Sequence, residues 1–146
     1  MPRKIMPPFL SPSQEAGRAF VMRGLSGPVT MLNLLRFREV ADYSASPGLA
    51  PAAEISGEEA FRRYIFHTLP FLARSGGELL FLGTGGAFLI GPETERWDQV
   101  MLVRQATVQS FLAFADDGDY LAGLGHRTAA LADSRLLPLT QLPIPA

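Results

Sequence analysis

The stretch Ser56–Gly77, SGEEAFRRYIFHTLPFLARSGG, is punctuated as a helix at both ends and constrains the rest of the chain. Ser56 followed three residues later by Glu59 is a capping box, and the paired glycines supply the stop. At 100° per residue, Phe61, Ile65, Thr68, Leu69 and Leu72 share one face, while Arg63, His67 and Arg74 share the other. Pro70 falls on the outer face, where a kink leaves the core untouched. A helix with one apolar stripe must lay that stripe on something, and the neighbouring segments read as strands.

Upstream, VTMLNLLRF (Val29–Phe37) is a turn-bounded apolar run of strand length, suited to burial on both faces. Downstream, ELLFLGTGGAFLIG and WDQVMLVRQA are two further strand-like runs joined through the turn-rich GPETER as a hairpin. Thr107 caps a short helix, VQSFLAFA; DDGD turns the chain into a closing helix from Tyr120 to Ala132; and SRLLPLTQL makes a last strand. Pro138 confines that strand to an edge or a strand end. The order strand, helix, strand, strand, helix, strand predicts an α+β, ferredoxin-like split βαβ fold with a four-stranded antiparallel sheet. A leading helix over residues 11–24, SPSQEAGRAFVMRG, precedes the core, which spans residues 29–141, and residues 1–10 form a tail. The 146 residues suit one domain.

Helices on one face leave the other sheet face to be covered, and Val100–Val103 is apolar without alternation. With 47% hydrophobic and 18% charged residues the chain has little polar surface for that task, so a homodimer pairing two sheets is expected. Thirteen basic against fourteen acidic residues, without a run of one sign, argue against nucleic acid and anionic membranes as partners. No segment has the roughly 20 apolar residues that span a bilayer. MPRKIMPPFL is a poor signal peptide because its apolar stretch is short and broken by prolines, and the absence of cysteine fits a reducing cytoplasm.

VTMLNLLRFREVADY, the glycine pair after the long helix, LIGPETERWDQVMLVR and YLAGLGHRTAALADSRLLP together resemble a bacterial family of unknown function within the dimeric α/β-barrel superfamily. The resemblance runs from about Val29 to Pro138. It implies an architecture and a cleft in each subunit; related branches include cofactor-free monooxygenases, small isomerases and haem-binding enzymes.

Polar residues among apolar neighbours are the candidates for chemistry. Asn33 alternates with Val29, Met31, Leu35 and Phe37 on one face of its strand, either as a buried amide tying the sheet to a loop or as a pocket residue. Counting from Tyr120, Leu124, Arg127 and Leu131 fall within about 40° while His126 stands about 120° away, which puts the arginine in the apolar stripe. An inward guanidinium cannot be neutralised and needs a carboxylate, carbonyls, an aromatic face or an anionic ligand. His126 is a candidate general base, with a partly exposed helix position as the plainer reading. Tyr43 lies beside SASPGLAPAA, a loop with the composition of a lid, and is a second candidate for proton transfer. Tyr64 and Trp97 offer aromatic walls with polar handles, or simply core. His67 shares a polar helix face with two arginines and reads as surface.

His67 and His126 lack the local spacing of a metal site, and no carboxylate cluster joins them. GTGG precedes no helix and matches no phosphate-loop pattern, so a bulge or close backbone approach within a strand is the better reading. No G-x-S-x-G is present, and DDGD lacks calcium-loop spacing. The expected function is a small-molecule enzyme working without a cofactor on a small apolar or aromatic compound, monooxygenase- or isomerase-like. In it Asn33, Arg127, Tyr64 and Trp97 contact the ligand, and His126 or Tyr43 moves a proton. The alternatives are a non-catalytic dimeric binding or scaffold module, and haem binding through His126.

Overall fold

Val29–Phe37 forms β1, and every second side chain from Val29 to Leu35 is buried, the alternation of a strand covered by helices on one face. The computed structural model describes residues 8–145. Ahead of β1, α1 (Gln14–Met22) starts where the Ser13 hydroxyl accepts from the Ala16 amide. After β1 come α2 (Gly57–Arg74), β2 (Glu78–Ala87), β3 (Arg96–Gln105) and α3 (Val108–Ala115). The chain closes with α4 (Gly118–Leu121), α5 (Leu124–Ala130) and β4 (Leu131–Leu139).

The strands lie in the order β2-β3-β1-β4, with every neighbouring pair antiparallel. This is the ferredoxin-like arrangement expected from the element order, and Pro138 sits on an edge strand as its missing N–H requires. The expected caps are in place: Ser56 accepts from Glu59, and Thr107 and Ser110 form a reciprocal capping box. GTGG lies inside β2, whose register against β3 shifts at Leu79/Phe81.

Two clusters make the core on the helix side of the sheet. The larger joins Leu35, Met101 and Leu131 of the sheet to Ala60, Phe61, Tyr64 and Leu72 of α2, with Tyr43, Phe114 and Tyr120. The smaller joins Val29 and Met31 to Val108, with Phe20 of α1 packed edge-on against Phe111 of α3 at 5.9 Å. Register places Leu32 and Leu34 on the same sheet face as Leu102 and Val100, and none of these four belongs to either cluster. Among the described residues, that face carries no helix. Phe81 and Leu137 lie beside it, 53% and 54% exposed.

Three expectations from sequence are corrected. The closing helix is two short helices, α4 and α5, broken at Gly123, and it ends before Leu131, which opens β4. A side chain on Gly123 would run into the His67 ring at 2.1 Å, so the break follows from how closely the chain approaches α2. Pairing of Leu131 with Phe37 then overrides the helix propensity of LADSR. Second, Tyr64 belongs to the buried stripe of α2, whereas Leu69 is exposed. Third, the segment after β1 is fastened at its neck, by Arg38 N–H to the Ala130 carbonyl, Ala41 N–H to Ile55 and Asp42 N–H to Ala129.

Candidate functional site

The fastened neck carries Tyr43 inward. Read from sequence as a lid residue, Tyr43 is 9% exposed and belongs to the main core cluster, because the Asp42–Ala129 bond draws its backbone against α5. Its hydroxyl lies 2.8 Å from Nδ1 of His126, and the two rings meet edge to face at 5.6 Å. The two residues picked out separately for proton transfer thus form one pair.

Glu59, Arg63 and His67 recur every four residues along α2 and flank this pair. Glu59 and Arg63 are ion-paired at 3.7 Å. Burial lowers the His126 imidazole below its ordinary value, and the charges of Arg63 and His67 push it the same way. Burial also raises the Tyr43 phenol, with Glu59 adding and Arg63 opposing. Both groups are therefore neutral near pH 7. His67, read as surface, is half-buried: its Nε2 lies 2.8 Å from the Asp119 carbonyl, to which only a protonated nitrogen can donate, and its ring packs on Phe71 at 5.1 Å.

A neutral His126 has two tautomers, and each gives the pair a different chemistry. With the proton on Nε2, the phenol donates to Nδ1 and the imidazole presents an N–H outward. With the proton on Nδ1, His126 donates to the Tyr43 oxygen and Nε2 carries a free lone pair, the form of a general base. Tyr43 fixes the ring orientation in both.

Arg127 stands on the other side of α5. Its Nη1 donates to the Leu10 carbonyl at 2.6 Å and its Nη2 to Ser134 Oγ at 3.4 Å. Among the described residues no carboxylate lies within 4 Å of it. Tyr64 is close enough that the Arg127 charge acts on its phenol, but burial and the neighbouring Tyr120 dominate and raise it well above the ordinary value. The Tyr64 and Tyr120 hydroxyls are 2.7 Å apart inside the core.

Asn33 is buried on the helix side of β1, its amide nitrogen donating to the Met31 carbonyl at 3.2 Å. Trp97 is set apart from the other candidates. Its indole N–H donates to Glu95, and its ring meets the guanidinium groups of Arg135 and Arg36 at 5.0 and 5.8 Å. Arg36 pairs with Asp133 at 3.6 Å. The structure thus gathers the six candidates into the pair Tyr43–His126, the group Arg127–Tyr64, and Asn33 and Trp97 each in its own setting.

The two clearest concavities are shallow and lie elsewhere. One, about 420 Å³, runs along α1 by Gln14, Arg18 and Met22; the other, about 230 Å³, lies between Arg74, Ser110 and Asp117. Neither is lined by a candidate residue. Among the described residues no group of three or more His, Cys, Asp or Glu side chains could hold a metal ion, and no helix is long and apolar enough to cross a membrane.

Sheet order and helix placement define a ferredoxin-like α+β protein. The chain is similar to two solved structures of the RPA0582 protein. The methylated form is 33% identical, with a TM-score of 0.83 over 94% of this chain and 98% of that one. The second, described as a protein of unknown function from Rhodopseudomonas palustris, is 33% identical, with a TM-score of 0.81 over 92% and 98%. The chain belongs to the family of the RPA0582 protein. No protein-family model and no curated protein matches it.

Proposed function

We propose that the protein is a cofactor-free enzyme that moves a proton on a small apolar or aromatic compound, with His126 as the base and Tyr43 as the residue that orients it. The observation that carries this reading is the 2.8 Å contact between Tyr43 Oη and His126 Nδ1, in surroundings that keep both groups neutral. A neutral imidazole with one nitrogen held by a phenol has its other nitrogen in a defined direction, and the tautomer in which Nδ1 donates to the Tyr43 oxygen leaves Nε2 free to abstract a proton. Arg127, on the other side of α5, is the residue available to orient a polar group of a ligand, while Asn33 and Tyr64 are buried, bonded to Met31 and Tyr120. Trp97 is buried under the guanidinium groups of Arg36 and Arg135, apart from the pair.

The functional unit in this reading is a homodimer. The helix-free sheet face has an apolar centre at Leu32, Leu34, Val100 and Leu102, and charges of both signs at its end, Arg36, Asp133 and Arg135. A two-fold interface buries that centre and sets unlike charges opposite one another. Light scattering on Leu34→Asp is expected to give a monomer mass where the parent chain gives twice that mass; a monomeric parent would contradict the dimer.

Deuterium incorporation from D₂O, followed by NMR over a panel of small aromatic ketones and phenols, tests the chemistry. Incorporation by the parent protein that falls about a hundredfold in His126→Gln is the expected result. Equal incorporation by the two proteins would remove His126 from the reaction. A second reading, a non-catalytic dimeric binding module, has its own support: the clearest concavities lie away from the pair, and Arg127 is engaged by a backbone carbonyl.

A further inference from the structure

Phe9 and Leu10 lie along β4, their backbone groups bonded to side chains and Leu10 packed against the main core cluster. The Phe9 amide donates to Asp133 Oδ1 at 2.8 Å, the Ser134 hydroxyl donates to the Phe9 carbonyl, and Arg127 donates to the Leu10 carbonyl. The Phe9 ring lies 4.8 Å from the Arg135 guanidinium, which is thereby placed between Phe9 and Trp97. Arg36 and Arg135 share one carboxylate, Asp133, at 3.6 and 2.8 Å, while Arg127 reaches the neighbouring Ser134 hydroxyl instead. Arg127 has only neutral acceptors among the described residues, and Met1–Pro7 contain no Asp or Glu that could supply one.

A guanidinium offers five N–H donors in a planar fork suited to a carboxylate or phosphate, and one carbonyl and a distant hydroxyl use little of that capacity. The Leu10 carbonyl stands where an anionic oxygen would bind with more charge and more bonds. The Phe9 side chain is about half exposed and adds little apolar burial, so the segment's apolar anchor is Leu10, which packs against the main core cluster. Asp133 stays ionised: burial works against it, but the Phe9 and Ser134 amides and Arg135 outweigh burial and keep it below its ordinary value.

We infer that Arg127 and Ser134 form a binding site for a small anion, and that the Phe9–Leu10 segment is a strap that occupies the site in the free protein and is displaced by the ligand. The shared chemistry is two or more negatively charged oxygens on a compact group. A carboxylate on an aromatic ring fits best, because its ring takes the place of Phe9 against Arg135. This deepens the role of Arg127 as a ligand-orienting residue and is independent of what His126 does. Displacement makes the strap a competitor, so the apparent affinity for the anion is reduced by the fraction of time the strap is seated.

Benzoate and inorganic phosphate are titrated separately into the full chain while the Phe9 and Leu10 amide resonances are followed by NMR. Both amides are expected to shift in a saturable way, with benzoate binding ahead of phosphate. Arg127→Gln is expected to weaken binding about tenfold or more, the loss of one charge-assisted pair. Phe9→Ala removes the strap's aromatic contact at an exposed position that cannot threaten folding, and is expected to tighten binding about threefold. His126→Gln should bind the anion as the parent does, which separates this test from that of proton transfer. Phosphate ahead of benzoate would overturn the aromatic carboxylate. No saturable shift up to about 50 mM of either anion, equal affinity in Arg127→Gln, or no gain in Phe9→Ala would each overturn the site and its strap.

Discussion

Gly57 is the first residue of α2, and an added Cβ there would lie 2.2 Å from the Arg38 carbonyl oxygen and 2.6 Å from that of Ala130. Both neighbours are backbone atoms in a short relay: Arg38 N–H donates to Ala130 at 2.8 Å, and Gly57 N–H donates to Arg38 at 3.1 Å. The side chain cannot be accommodated by rotating a neighbour, so Gly57→Ala must push α2 off the end of β1 and the start of β4. Overpacking costs about 1–3 kcal/mol. Loss of the two backbone bonds adds about 1 kcal/mol each. Against this stands a gain of about 1 kcal/mol from replacing glycine by alanine at a helical position. The net expectation is a loss of about 2–4 kcal/mol. Urea denaturation followed by the fluorescence of Trp97 measures it, with Gly17→Ala as the control. Gly17 lies inside α1 with nothing within 4 Å of its added Cβ, and its replacement should stabilise the protein by about 0.5–1 kcal/mol. A loss below about 1 kcal/mol in Gly57→Ala would refute the close approach that seats the neck of the Tyr43 loop.

The Tyr64–Tyr120 hydroxyl pair is closed inside the core, so Tyr64→Phe leaves a buried hydroxyl without a partner and should cost about 1–3 kcal/mol. The double variant with Tyr120→Phe should cost less than the sum of the single ones, and strict additivity in denaturant titrations would deny the hydrogen bond. Acid titration of stability should show two contributions of the same sign. His126 has a folded-state value below 6.5, so its contribution is complete above pH 6.5 and is lost as pH falls through the lowered value. Asp133 is likewise depressed, so its contribution is complete above pH 3.8 and disappears as pH falls through the folded value. The first step should vanish in His126→Gln and the second in Asp133→Asn; persistence of either step in its variant would reassign it.

The strands, the long helix and their order were legible because they depend on local patterns: the alternation in VTMLNLLRF, the capping box at Ser56, the capping role of Thr107. The helix-free sheet face was legible in the unbroken run Val100–Val103 for the same reason. What escaped was set by contacts distant in sequence. The break at Gly123 depends on the His67 ring, and the strand start at Leu131 depends on Phe37, neither of which a helical pattern around LGHRTAALAD contains. Helical phase put Arg127 inside and His126 aside. Once Gly123 interrupts the helix, phase counted from Tyr120 no longer applies, and His126 turns to a buried Tyr43 while Arg127 turns to the Leu10 carbonyl. Tyr43 looked like a lid residue because SASPGLAPAA has loop composition, and the bond from Asp42 to Ala129 that draws it inward leaves no trace in the local sequence. Both members of the pair were chosen for their own chemistry; their partnership needed the fold.

Nitrogen-15 NMR of the imidazole rings across pH, in the parent protein and in Tyr43→Phe, tests that partnership most directly. His126 should be neutral at pH 7, should titrate below its ordinary 6.5, and should show its Nδ1 hydrogen-bonded. Tyr43→Phe should abolish that hydrogen-bond signature and move the titration, while leaving His67 with its proton on Nε2 toward the Asp119 carbonyl. A His126 that titrates at or above 6.5, with the same ring-nitrogen shifts in the presence and absence of the Tyr43 hydroxyl, would contradict the pair and the proton transfer built on it.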